Sequence, residues 1–123
     1  YTVRSAYEIY QKCANFNIYI ATEPKNIQTS LDGFKEEIQK IKDVLVSDEE
    51  LTNAKNNYIG KLQFITETNA QQANQMAHHA ILGMGFCFKD ELIKKIKAVT
   101  PTEVQEIAKK YLNDKFVVSI LRP

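Results

Sequence analysis

The residues best equipped for chemistry in this sequence are the adjacent histidines His78 and His79, the cysteines Cys13 and Cys87, the acidic run Asp48-Glu49-Glu50 and the glycines of Gly83-Met84-Gly85. Neighbouring residues on a helix point about 100° apart, so His78 and His79 cannot grip one ion as an i, i+4 pair can, and no third ligand stands out beside them. One histidine facing inward and one outward is the expected arrangement. The acidic run lacks the alternating oxygen ligands and central glycine of a calcium loop, and helix capping accounts for it better. The glycine pair follows a helical pattern rather than a strand, which reads as a helix stop and not as a phosphate-cradling loop. Neither cysteine neighbours a histidine and no Gly-x-Ser-x-Gly elbow occurs, so no self-sufficient hydrolase is expected. Cys13 and Cys87 lie in no metal or redox spacing; two free thiols in a reducing compartment is the preferred reading, a disulfide of an exported protein the alternative.

Periodicity supplies the elements that would carry these groups. Tyr1, Val3, Tyr7 and Ile9 occupy alternate positions, as do Phe16, Ile18 and Ile20, and Gln11-Lys12 between them predicts an antiparallel hairpin with half-buried strands. Pro24 then opens a long helix whose stripe runs Ile27, Leu31, Phe34, Ile38, Ile41 and Leu45, ending near Val46. Ser47 through Glu50 forms a capping box for a second helix bearing Leu51, Ala54, Tyr58, Leu62 and Ile65. A third runs from about Ala70 to Leu82 with Ala73, Met76, Ala77, Ala80 and Ile81 inward, and a fourth from about Lys89 to Val99. Thr100, Pro101 and Glu103 start a fifth with Val104, Ile107, Ala108 and Tyr111 on one face. A closing strand is expected over Phe116–Leu121. Three strands and five helices predict an α+β fold: a two-layer sandwich with a mainly antiparallel sheet and helices packed on one face, residues 1–123 making a single partial domain. Three strands are few for five helices, and their two edges would invite another strand.

Composition narrows the function classes. In 123 residues, 16 basic against 15 acidic side chains leave a formal net charge of +1, too little to attract a polyanion at range, and only Arg4 and Arg122 offer the planar fork favoured in phosphate and base recognition. Nucleic acid is not an expected partner. No apolar run is long enough to cross a bilayer, so no membrane partner is expected either, and a cytoplasmic location is assigned. A hydrophobic share of 44% with 25% charged residues is that of an ordinary globular domain.

Four segments in order resemble one lobe of the insulinase/pitrilysin/mitochondrial-processing-peptidase family of zinc metallopeptidases. Tyr1-Thr2-Val3-Arg4-Ser5 resembles the strand that follows the family's Gly-Leu-Ala-Tyr stretch, and Ala21-Thr22-Glu23-Pro24 its strand-to-helix junction. Ser47-Asp48-Glu49-Glu50-Leu51-Thr52-Asn53-Ala54-Lys55 resembles its Glu-Leu-x-x-Ala-Lys helix start. Val99-Thr100-Pro101-Thr102-Glu103-Val104 through Ala108-Lys109-Lys110-Tyr111-Leu112 resembles its closing Val-Thr helix.

The resemblance implies a non-catalytic, substrate-facing lobe. The family's zinc motif, His-x-x-Glu-His, does not occur in this chain, so zinc is expected in a partner lobe, in the same or another chain, and this chain alone is expected to be inactive, with no catalytic or metal-binding residue and no cofactor. In the family the second lobe lends an Arg and a Tyr to the peptide substrate; Tyr1 matches the Tyr, the matching Arg would lie upstream, and Arg4 does not match it. The other reading of Tyr1 is a strand aromatic packed on a sheet face. Family lobes begin with further strands and a helix, so the chain is expected to be the later part of a lobe, whose uncovered edge or helix surface pairs with another copy. The contrasting reading is a stand-alone protein-protein interaction module of the same fold with no role in proteolysis.

Overall fold

The computed structural model describes residues 2–121. The fold is α+β: an antiparallel hairpin, β1 (Thr2–Ile9) and β2 (Ala14–Ala21), then a 3-10 turn at Pro24–Asn26 and helices α1 (Ile27–Asp43), α2 (Asp48–Phe64), α3 (Asn69–Ile81), α4 (Phe88–Ala98) and α5 (Pro101–Tyr111). Two compact units form. One is built from the hairpin, α1 and α5 from Thr102 onward, the other from α2, α3 and α4.

Alternation predicts the hairpin, and the register shows what it yields. Val3 faces Ile20, Ser5 faces Ile18, Tyr7 faces Phe16 and Ile9 faces Ala14. Directly opposed residues share a face, so these eight make one largely apolar surface, while Arg4 with Tyr19 and Glu8 with Asn15 lie on the other. The expected half-burial holds only for Ile18 and Ile20; Val3, Tyr7, Ile9 and Phe16 remain 43–63% exposed. On the polar face the Arg4 guanidinium stacks 4.7 Å from the Tyr19 ring centroid, and Asn15 Nδ2 donates to Glu8 at 3.2 Å.

The closing strand expected over Phe116–Leu121 does not form, leaving a two-stranded sheet among the described residues. Val117 and Leu121 are 95% and 98% exposed. Strand propensity describes fit to a pleated, half-buried surface, and this segment pairs with no edge in the described chain.

Pro24 fixes the first-turn φ ahead of α1, whose Ile27, Leu31, Phe34, Ile38 and Ile41 all lie half-buried along one stripe. The helix stops at Asp43, short of the expected Val46, because Val44 turns extended (φ −118°, ψ 131°) and Leu45 is left exposed. Ala108 of α5 is buried, whereas Ile107 and Tyr111, expected beside it, are exposed.

In the second unit Ser47 Oγ accepts the Glu50 N–H at 3.1 Å, which is half of the expected box. The complete capping box belongs to α3: Thr68 Oγ1 accepts from the Gln71 N–H and the Gln71 side-chain Oε1 accepts from the Thr68 N–H. At the other end of α3, Met84 N–H bonds to the His79 carbonyl and Gly83 N–H to the Ala80 carbonyl, with Gly83 at φ 76°, a Schellman stop. Lys55 of α2 reaches the last turn of α4, where its Nζ donates to the carbonyls of Lys97 (3.0 Å) and Val99 and so meets the negative end of that helix.

Among the described apolar side chains only Leu62 and Ala108 are buried.

Two glycines of the second unit should respond in opposite directions. Gly83→Ala places a Cβ at positive φ and is expected to cost about 1–2 kcal/mol. Gly60→Ala, inside α2 with nothing within 4 Å of the added Cβ, is expected to gain about 0.5–1 kcal/mol. Urea midpoints read both, and a neutral Gly83→Ala would refute the Schellman stop.

Candidate functional site

The two histidines stand on the last turns of α3, one inward and one outward. His79 is 7% exposed and His78 is exposed; their ring centroids are 6.2 Å apart and tilted by 51°. One ring is buried and the other exposed, the divergence expected of neighbours on a helix. Among the described residues no three His, Cys, Asp or Glu side chains converge as ligands.

His79 is inward because Phe88 receives it: the rings meet edge to face with centroids 5.1 Å apart. The expected inner stripe of α3 is rotated accordingly. Ala73, Met76, Ala77 and Ile81 are exposed, with Ile81 at 74%, while Gln75, His79 and Leu82 face in. Burial pushes the His79 imidazole below its ordinary pKa, and the neighbouring His78 adds to the fall.

Two shallow grooves flank α3. The larger, about 380 Å³, is lined by Ile65, Gln71, Asn74, Gln75 and both histidines; the smaller, about 150 Å³, by Thr66, Gln72, Gln75, Met76, His79, Phe86 and Lys89. By residue type the smaller one holds a hydroxyl, an imidazole and an amine, the makings of a nucleophile with its base. The hydrogen bonds assign them otherwise. Thr66, 5% exposed, donates to the Leu62 carbonyl at 2.9 Å and lies 3.1 Å from that of Gln63, and its oxygen accepts from Lys89 Nζ at 2.5 Å. A hydroxyl that accepts from an ammonium and donates to helix carbonyls is a helix-end tie, with its proton directed away from any base. Sequence reading missed Thr66 and Lys89; a threonine just past a helix end is the one local signal.

The remaining candidates fall as follows. Tyr1, the residue matched to a substrate-holding tyrosine, lies outside the described residues. Cys13 and Cys87 are exposed free thiols. Asp48, Glu49 and Glu50 fill the first turn of α2, where they favour its positive end. Gly83 and Gly85 both take positive φ and end α3. No described helix is long and apolar enough to cross a membrane.

The lowered His79 pKa fixes the sign of a pH effect. Above about pH 6.5 the imidazole is neutral folded and unfolded; below it the unfolded chain takes up a proton that the folded state resists, so stability falls as pH drops toward the lowered folded pKa. Wild type is expected to lose urea stability between about pH 7 and pH 5, and His79→Gln to lose less. Equal slopes would place the titration elsewhere.

Set against known proteins, the chain matches no family model, no curated protein and no solved structure.

Proposed function

We propose that the chain is a non-catalytic, substrate-facing lobe of a pitrilysin/insulinase-type zinc metallopeptidase, presenting an extended peptide to a zinc lobe carried elsewhere. The four resembling segments motivate this reading, and the observation that carries it is the hairpin. All of β1 and most of β2 are exposed, Ile18 and Ile20 being half-buried, and among the described residues no further strand lies along either outer edge, where an extended chain could add. A peptide adding to such an edge gains affinity from main-chain hydrogen bonds and selectivity from alternate side chains. The charge-free β2, Ala-Asn-Phe-Asn-Ile-Tyr-Ile-Ala, suits peptides of varied sequence. In this reading Tyr1, matched by resemblance to a substrate-holding tyrosine, takes part in peptide binding, zinc and the water-activating carboxylate belong to the partner lobe, and the chain supplies position alone.

The test uses the full chain with a fluorescein-labelled, unfolded casein peptide. Anisotropy should rise on titration while mass spectrometry finds the peptide intact, with the same result after chelator treatment. Cleavage by the chain alone, or about one tightly bound zinc per chain by metal analysis, would overturn the proposal. Absence of peptide binding would instead favour the stand-alone interaction module.

A further inference from the structure

We propose that β1 is a self-recognition edge: two copies of the chain join β1 to β1 in antiparallel register about Ala6, extending two hairpins into one four-stranded sheet. The proposal stands on strand geometry and charge, independent of any peptidase role.

Among the described residues β2 is the one strand beside β1, and all eight residues of β1 are exposed. It carries two charges, Arg4 and Glu8, placed symmetrically about Ala6 on the same face. In an antiparallel pairing of β1 with a second β1 centred there, Arg4 of each chain lies opposite the partner's Glu8, so one two-fold axis creates two opposite-charge pairs. The same register sets Val3 opposite the partner's Ile9 and Ser5 opposite the partner's Tyr7. Even positions meet even and odd meet odd, so the apolar faces of both hairpins fall on one side of the joined sheet. Val3, Tyr7, Ile9 and Phe16 of both copies then form a continuous apolar surface in place of two narrow ones.

The same two residues rank the competing registers. A centre at Arg4 opposes two guanidinium groups, a centre at Glu8 opposes two carboxylates, and a parallel in-register pairing opposes like with like at both, whereas centres at Ser5 or Tyr7 set each charge against an uncharged residue and forgo both attractive pairs. β2 has no charged residue to choose a register, which singles out β1 as the specific edge and leaves β2 for an extended peptide.

Light scattering on the full chain, at concentrations on the order of 100 µM, should give twice 14.1 kDa. Arg4→Glu and Glu8→Arg each replace two attractive pairs by two repulsive ones and should weaken self-association about tenfold or more. Mixing these two variants restores attraction at both positions, so the mixture should form a heterodimer although each alone is monomeric, and the double swap in one chain should dimerise again. Circular dichroism confirms that each variant keeps its fold. A monomeric wild type, single variants that dimerise like wild type, or a mixture that stays monomeric would each overturn the proposal.

Discussion

An antiparallel pair of strands satisfies backbone groups only along its inner side, and that shortfall governs this chain. β1 and β2 form eight register pairs, and among the described residues no strand lies along either outer edge. Two strands are also too narrow to bury a face by themselves, so the apolar surface from Val3 to Ile20 remains mostly open. The alternation of types in the hairpin thus builds a surface whose favourable state requires something laid against it. The same exposed groups that weaken an isolated hairpin are those that the proposed pairing with another strand would use.

The second unit achieves order by a different route. Leu62 is its one buried apolar side chain among the described residues, and polar ties at helix ends do much of the positioning. Lys55 closes the end of α4, Thr66 and Lys89 bind the end of α2 to the start of α4, and Gly83 stops α3. Each tie acts on backbone groups that a helix leaves unpaired, which is where a hydrogen bond contributes most, because the alternative is an orphaned carbonyl. Such a unit keeps its helices aligned at their ends while the surfaces between them stay half open, the condition under which local opening costs little.

How much of this was legible in the sequence follows from the range of the interaction concerned. Starts at Ser47 and Pro101, the stop at Gly83 and the hairpin itself depend on neighbours within a few positions, and they appear where the residue types predict. The segment Phe116–Leu121 has strand composition, yet a strand is a pairing relation with a distant edge, and no local pattern encodes whether that edge is offered. The face of α3 failed for another reason. Alanines bury little area, so a stripe of Ala73, Ala77 and Ala80 has small leverage, and the contact of His79 with Phe88 turned the helix by about one position. The Thr66–Lys89 tie joins residues 23 apart and is invisible to periodicity. Of the site residues, the inward and outward histidines were readable from helix geometry, and Tyr1 rests on resemblance alone.

The reactive groups around α3 are engaged in packing and in ties at helix ends. His79 holds a neutral imidazole by burial against Phe88, and its ring is engaged in packing. The Thr66 hydroxyl directs its proton to helix carbonyls and takes the Lys89 ammonium on its oxygen, the reverse of the polarity that makes a nucleophile. The groove that brings these three types together is therefore occupied by its own hydrogen bonds, and what remains accessible around α3 is a border of amides, Gln71, Gln72, Asn74 and Gln75, able both to donate and to accept. Amides of that kind are suited to main-chain groups, which every polypeptide carries.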